Sequence, residues 1–156
     1  SKTCFAAWHV LCTPNIIRRF RRMTGFKGYI ASRPFQGHRV PQHVQNLVIR
    51  DYCTSRNMTY LLSGTEYAIP GSFLILQQLI DDLAVLEGIV FYSMFQMPQN
   101  ASKRSVIYDE VLERGKTLHF AVEGLSLSSR SDCRRLEDIW NVFLTIPYAP
   151  NIQELV

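Results

Sequence analysis

Gly88–Ser93 reads GIVFYS, and this almost wholly apolar run decides the fold. A strand with no polar alternation is one buried on both faces, which is the habit of a parallel sheet covered by helices. Helical patterns flank it. Upstream, Ser72 is a candidate cap for a helix using Leu76, Leu79, Ile80 and Leu83. Downstream, Ser102 is a candidate cap for a helix using Val106, Ile107, Val111 and Leu112, with Gly115 where a helix-ending glycine belongs. Thr117–Val122 (TLHFAV) follows as the next strand and ends at Glu123–Gly124.

The alternation continues outward. Phe26–Ser32 (FKGYIAS) is a strand and Arg33–Arg39 a loop. Pro41 suits the first position of a helix using Val44, Leu47, Val48 and Tyr52. Met58–Ser63 (MTYLLS) is a further strand, and Thr65–Gly71 a loop. Ser126–Ser131 reads as a polar linker before a last helix using Leu136, Ile139, Trp140 and Phe143. Four strand–helix units predict an α/β fold: a three-layer, parallel four-strand sheet of order 2-1-3-4, as in flavodoxin-like sheets.

Composition sets the class. Of 156 residues, 47% are apolar and 19% charged, which is globular and argues against a largely disordered chain. No apolar run is long enough to span a membrane. Cys4, Cys12, Cys53 and Cys133 lack CxxC spacing, so no metal site is expected; reduced thiols point to a cytoplasmic location. The formal charge of +4 is uneven: residues 1–22 hold five Lys and Arg and no acid, while residues 23–156 hold twelve against thirteen acids. The body therefore lacks the basic footprint of a nucleic-acid binder. Residues 1–22 are expected to be an apolar, basic N-terminal extension, and residues 23–156 a single α/β domain. No dinucleotide fingerprint, Walker A motif or HExxH occurs, and the sequence names no cofactor.

In such a sheet, ligands sit at the carboxyl ends of the strands. Ser32, Arg33, Arg39 and, on the next helix, His43 follow the first strand. Glu66 and Tyr67 follow the second, Ser93 and Gln96 the third, and Glu123 the fourth. Arg33 and Arg39 beside a helix start could clamp an anion, or could be solvated loop arginines. Glu66 and Glu123 are candidate proton-transfer groups, the alternative being a cap or a salt bridge to Arg33. Ser32 or Ser93 as a nucleophile would call on His43 as base, although no GxSxG elbow is present. His119, inside a strand, reads as structural.

Two resemblances add to this reading. GYIAS (28–32) with VPQHVQNLVIRDYC (40–53), and LEGIVFYSMFQMPQNASKRSVIYDEVLERGKTLHFAVEGLSL (86–127), resemble a serine-recombinase (resolvase) catalytic domain. That family carries Tyr-x-Arg-x-Ser, where this chain has Tyr29, Ala31 and Arg33. It also carries Asp-Arg-x-x-Arg after the third strand, where this chain reads Met94, Phe95, Gln96, Met97 and Pro98. The fold is therefore expected without the recombinase chemistry, and without a nucleic-acid partner. The strings GYIASRPF, RVPQHVQNLVIRDYC, LLSGTEYAIPG, LEGIVFYSMFQMP and LHFAVEGL resemble shared blocks of the sporadic carbohydrate cluster family, small bacterial proteins of carbohydrate-biosynthesis loci. That resemblance implies an accessory enzyme or ligand-binding protein acting on a sugar or activated sugar in surface-polysaccharide or lipopolysaccharide assembly. A sugar phosphate or nucleotide sugar is the expected ligand. The alternative is a non-catalytic protein docking on a glycan-pathway enzyme through the leader and MFQMP. A homodimer is expected, with Phe5, Trp8, Val10 and Leu11 among its apolar contacts.

Overall fold

The apolar run at the centre forms β3 (Gly88–Phe91), with all four residues buried. β1 (Phe26–Ala31) lies parallel to it on one side and β4 (Thr117–Phe120) parallel on the other. β2 (Tyr60–Glu66) pairs parallel with β1 at the outer edge. This computed structural model describes residues 24–148, so the expected N-terminal extension lies outside the described residues.

The four parallel strands have the expected order, and a fifth strand joins them. β5 (Leu125–Leu127) runs antiparallel to β4, giving β2-β1-β3-β4-β5. The sequence reading placed a polar linker over part of this segment. Gly124, at φ +63°, turns the chain back on itself, and Leu127 then reaches the core while Ser126 faces out. Three residues are too few to show alternation, so the serines masked the strand. β2 is also displaced from its expected bounds, ending at Glu66 opposite Ala31. Gly28 lies opposite Ser63, and a Cβ there would collide with the Ser63 hydroxyl oxygen.

The helices are distributed unequally. α1 (Gln42–Ser55) covers one sheet face, where Ile49, Tyr52 and Cys53 pack on Phe26, Ile30 and Val90. α2 (Leu74–Asp81), α3 (Ala101–Glu113) and α4 (Arg130–Thr145) cover the other, around Tyr29, Ile89, Phe91, Leu118 and Phe120. Side chains of this size contribute about 1.5–3 kcal/mol each on full burial. No described helix is long and apolar enough to cross a membrane.

Two helices present different faces from those their apolar residues suggest. In α1, Gln45, Ile49, Tyr52 and Cys53 are buried and Leu47 is exposed. In α3 the buried set is Arg104, Ile107, Tyr108 and Val111, leaving Val106 outside. The cause is a buried polar residue in each. The Gln45 amide makes four hydrogen bonds, to Ala31 N, Ala31 O, Val40 O and the Gln96 amide. The Arg104 guanidinium is held by both Glu137 oxygens at 2.7 Å and by the carbonyls of Pro98 and Gln99, and lies 4.3 Å over the Trp140 ring. A polar group satisfied this fully can occupy a core position.

Capping also departs from expectation. Pro41 occupies the cap position of α1 rather than its first turn. Asn100, not Ser102, caps α3 through the backbone N–H of Lys103. Ser72 does not cap α2; its hydroxyl donates to Glu66 instead.

His119 is a structural residue of the strand, hydrogen-bonded to Tyr52 and Thr117 and packed edge-on to Phe26. Burial, and then the nearby Arg56 charge, lower its pKa from the ordinary 6.5 to about 4. The unfolded chain therefore binds more protons between those two values. The contribution of His119 to stability is complete above pH 6.5 and drains as pH falls toward 4, by up to about 1.4 kcal/mol per pH unit. Urea unfolding of His119→Gln across that window is expected to show a shallower acid decline than the parent; parallel profiles would refute the assignment.

Candidate functional site

The parallel strands deliver their carboxyl ends to one edge, where two carboxylates stand. Glu66 closes β2 and is fully buried. Its carboxylate accepts five hydrogen bonds: from the backbone N–H groups of Ile75, Leu76 and Tyr67, from the Ser72 hydroxyl, and from the Tyr29 hydroxyl. Two of these donors belong to the first turn of α2, whose N–H groups have no partner within the helix. Glu66 thus supplies from β2 the cap that Phe73, at the start of α2, cannot.

Glu123 acts similarly beyond β4. It accepts from the Ser93 hydroxyl at 2.6 Å and from Met94 N at 3.0 Å, at the start of a short 3-10 turn, Met94–Gln96. Ser93 Oγ in turn accepts from Phe95 N, and the Gln96 amide bridges Ser93 N and Gln45.

Arg33 connects the loops. Its guanidinium donates to the carbonyls of Ser72, after β2, and Gln96, after β3, and to the Tyr29 hydroxyl of β1. It also stacks 4.3 Å from the Phe73 ring centroid. Burial pushes the Tyr29 hydroxyl above its ordinary pKa, so it stays protonated, donating to Glu66 while accepting from Arg33. Arg33 and Glu66 are coupled through this phenol, not by a salt bridge.

A cavity of about 370 Å³ opens beside Arg33. Phe35, Phe73, Phe95, Trp140 and Phe143 form most of its wall, with the polar residues Gln36, Gln96 and Gln99. Among the described residues, no acid, histidine, serine or cysteine lines it. Arginine has five N–H donors, and Arg33 commits three among the described residues. The arrangement can hold an anionic group against aromatic surface; the described residues of its wall include no proton-transfer group.

Of the residues singled out from sequence, Arg33 and Gln96 line this cavity, and Glu66 is joined to Arg33 through the Tyr29 hydroxyl. Ser93 and Glu123 pair with each other and are not in the wall. Ser32 is partly exposed and accepts a hydrogen bond from Gln42, while Arg39, His43 and the Tyr67 ring are exposed and outside the wall. The structure does not show His43 hydrogen-bonded to Ser32 or Ser93. Tyr29, Gln45 and the aromatic wall escaped the sequence reading. The pair Trp140 and Phe143, three apart on α4, was legible only as a core face. No group of three or more His, Cys, Asp or Glu suited to a metal occurs among the described residues.

No protein-family model matches the chain, and no curated protein matches it. Solved structures do. A resolvase family site-specific recombinase from Streptococcus pneumoniae is similar with a TM-score of 0.58 at 11% identity, over 75% of this chain and 87% of that one. The N-terminal catalytic domain of TP901-1 integrase is similar with a TM-score of 0.55 at 17% identity, over 78% and 96%. At these identities the likeness shows the fold alone, and the fold is resolvase-like.

Glu66→Gln replaces an acceptor with an amide donor that faces N–H and O–H donors. It is expected to destabilise the protein by about 2–3 kcal/mol, the scale of hydrogen bonds to a buried charge. Urea unfolding measures this, and a midpoint equal to the parent's would remove the capping role.

Proposed function

We propose that this resolvase-like protein binds a small anionic ligand with a flat or ring-shaped body in the cavity beside Arg33. A sugar phosphate or nucleotide sugar has that chemistry. Such a ligand connects the cavity to surface-polysaccharide assembly, the setting that the quoted sequence blocks suggest. The observation that carries the reading is an arginine with two donors uncommitted among the described residues, set in an aromatic wall to which no described acid contributes. Aromatic rings pack on the apolar faces of a sugar or base, and a guanidinium N–H donates to a phosphate oxygen in a charge-assisted hydrogen bond. Binding is favoured over catalysis, because Glu66 and Glu123 are both engaged at helix starts. The proposal includes a cytoplasmic homodimer; the apolar residues named for its contact lie outside the described residues.

DNA strand exchange is not part of this reading. Ala31 and Arg33 stand where the recombinase pattern has arginine and serine, and Phe95 and Pro98 where it has its two later arginines. The Ser32 hydroxyl accepts from Gln42, and among the described residues no base is bonded to it.

The test is a thermal-shift series with glucose 1-phosphate and UDP-glucose. A ligand about 100-fold above its Kd stabilises the native state by about 2.7 kcal/mol. A rise in Tm is expected for the parent and none for Arg33→Met. No shift with either compound, or an equal shift in the variant, would overturn the site. Covalent capture of nicked DNA on Ser32 would overturn the exclusion of recombinase chemistry.

A further inference from the structure

Between α2 and α3 runs a second hollow, a groove of about 680 Å³. This volume lies within the ~300–1,000 Å³ typical of small-molecule sites. Ile69, Leu74 and Val106 stand at its surface, 65%, 63% and 57% exposed, and Ile107 and Pro98 line its interior. Three large aliphatic side chains gathered in one hollow differ from the scattered apolar residues of an ordinary surface. Val106 is present because Arg104 occupies the inward position on α3.

The groove adjoins the aromatic cavity across a common wall. Pro70, Gly71 and Phe73 line both, and the Arg33 guanidinium lies on the Phe73 ring at that shared wall. Charge is one-sided across the pair of hollows. Arg33 lines one and Lys103 the other, and among the described residues no acid lines either. Lys103 makes no salt bridge among the described residues.

We infer that the two hollows form one site for an anionic amphiphile, a sugar joined through phosphate to an aliphatic chain. The ring occupies the aromatic cavity, the phosphate meets Arg33 at the shared wall, and the chain lies along the groove over Leu74 and Val106. Charge complementarity and the residues shared with the cavity select this occupant. The assignment rests on the ligand reading above and adds the chain to it. A nucleotide sugar would leave the groove empty.

The experiment compares butyl phosphate, dodecyl phosphate below its micelle concentration, and glucose 1-phosphate, by calorimetric titration of the full chain. Burying the longer chain is expected to tighten binding by about tenfold or more. Val106→Glu, at an exposed helix position, is expected to abolish that gain and to weaken glucose 1-phosphate binding less than Arg33→Met does. Leu74→Ser gives a second variant should the first misfold. Arg33→Met is expected to weaken all three compounds. Equal affinity for the short and long chains, with glucose 1-phosphate still bound, overturns this inference and leaves the proposed function standing. Chain binding that ignores Arg33, with no affinity for glucose 1-phosphate, overturns both. If Val106→Glu instead converts a dimer into a monomer with no chain-length effect, the groove is a contact between copies and the inference falls.

Discussion

The Glu66 carboxylate sits without solvent at the place where β2 ends and α2 begins, and the geometry of the strand-end edge descends from it. A bare buried carboxylate would cost several kcal/mol and would shed its charge by taking up a proton. Five donors make the burial tolerable, and they come from three parts of the chain. The backbone of α2 is anchored to the strand. The 67–72 loop is folded inward by the Tyr67 N–H and Ser72 hydroxyl, which sets the Ser72 carbonyl toward Arg33. The Tyr29 hydroxyl spends its proton on Glu66 and so offers Arg33 a lone pair. The arginine that faces the cavity is oriented by this chain of contacts, which is how a loop residue can hold a fixed direction.

Element types and the order of the parallel strands could be read from sequence because burial on both sheet faces leaves an unambiguous apolar run, as in Gly88–Phe91. Helix faces were harder to read. The hydrophobic pattern assigns Leu47 and Val106 inward, whereas Gln45 and Arg104 hold the inward positions. Pattern reading counts apolar atoms, and it cannot see that four carbonyl or carboxylate acceptors await a guanidinium at position 104. The strand-end residues could be located by topology, but their roles could not. Glu66 and Glu123 are separated in sequence from the helix starts they serve, so only folding reveals what they bond.

Likeness to recombinase catalytic domains in fold, at 11% and 17% identity, separates scaffold from chemistry. The turn after β3 illustrates the difference. Its residues Met94–Gln96 wind into a capped 3-10 turn that supplies Phe95 to the cavity wall and the Gln96 carbonyl to Arg33. That turn presents an aromatic ring at an edge where the related pattern would present charge.

Trp140 has an optical consequence. The chain contains two tryptophans, Trp8 and Trp140. Trp140 is fully buried, lines the aromatic cavity, lies edge-on to Phe95 and Phe143, and carries the Arg104 charge over its face. Its indole N–H finds no acceptor among the described residues. Indole emission responds to nearby charge and to the loss of water. With Trp8 replaced by phenylalanine, the remaining fluorophore reports both the docking of α4 and the filling of the cavity, without any attached dye.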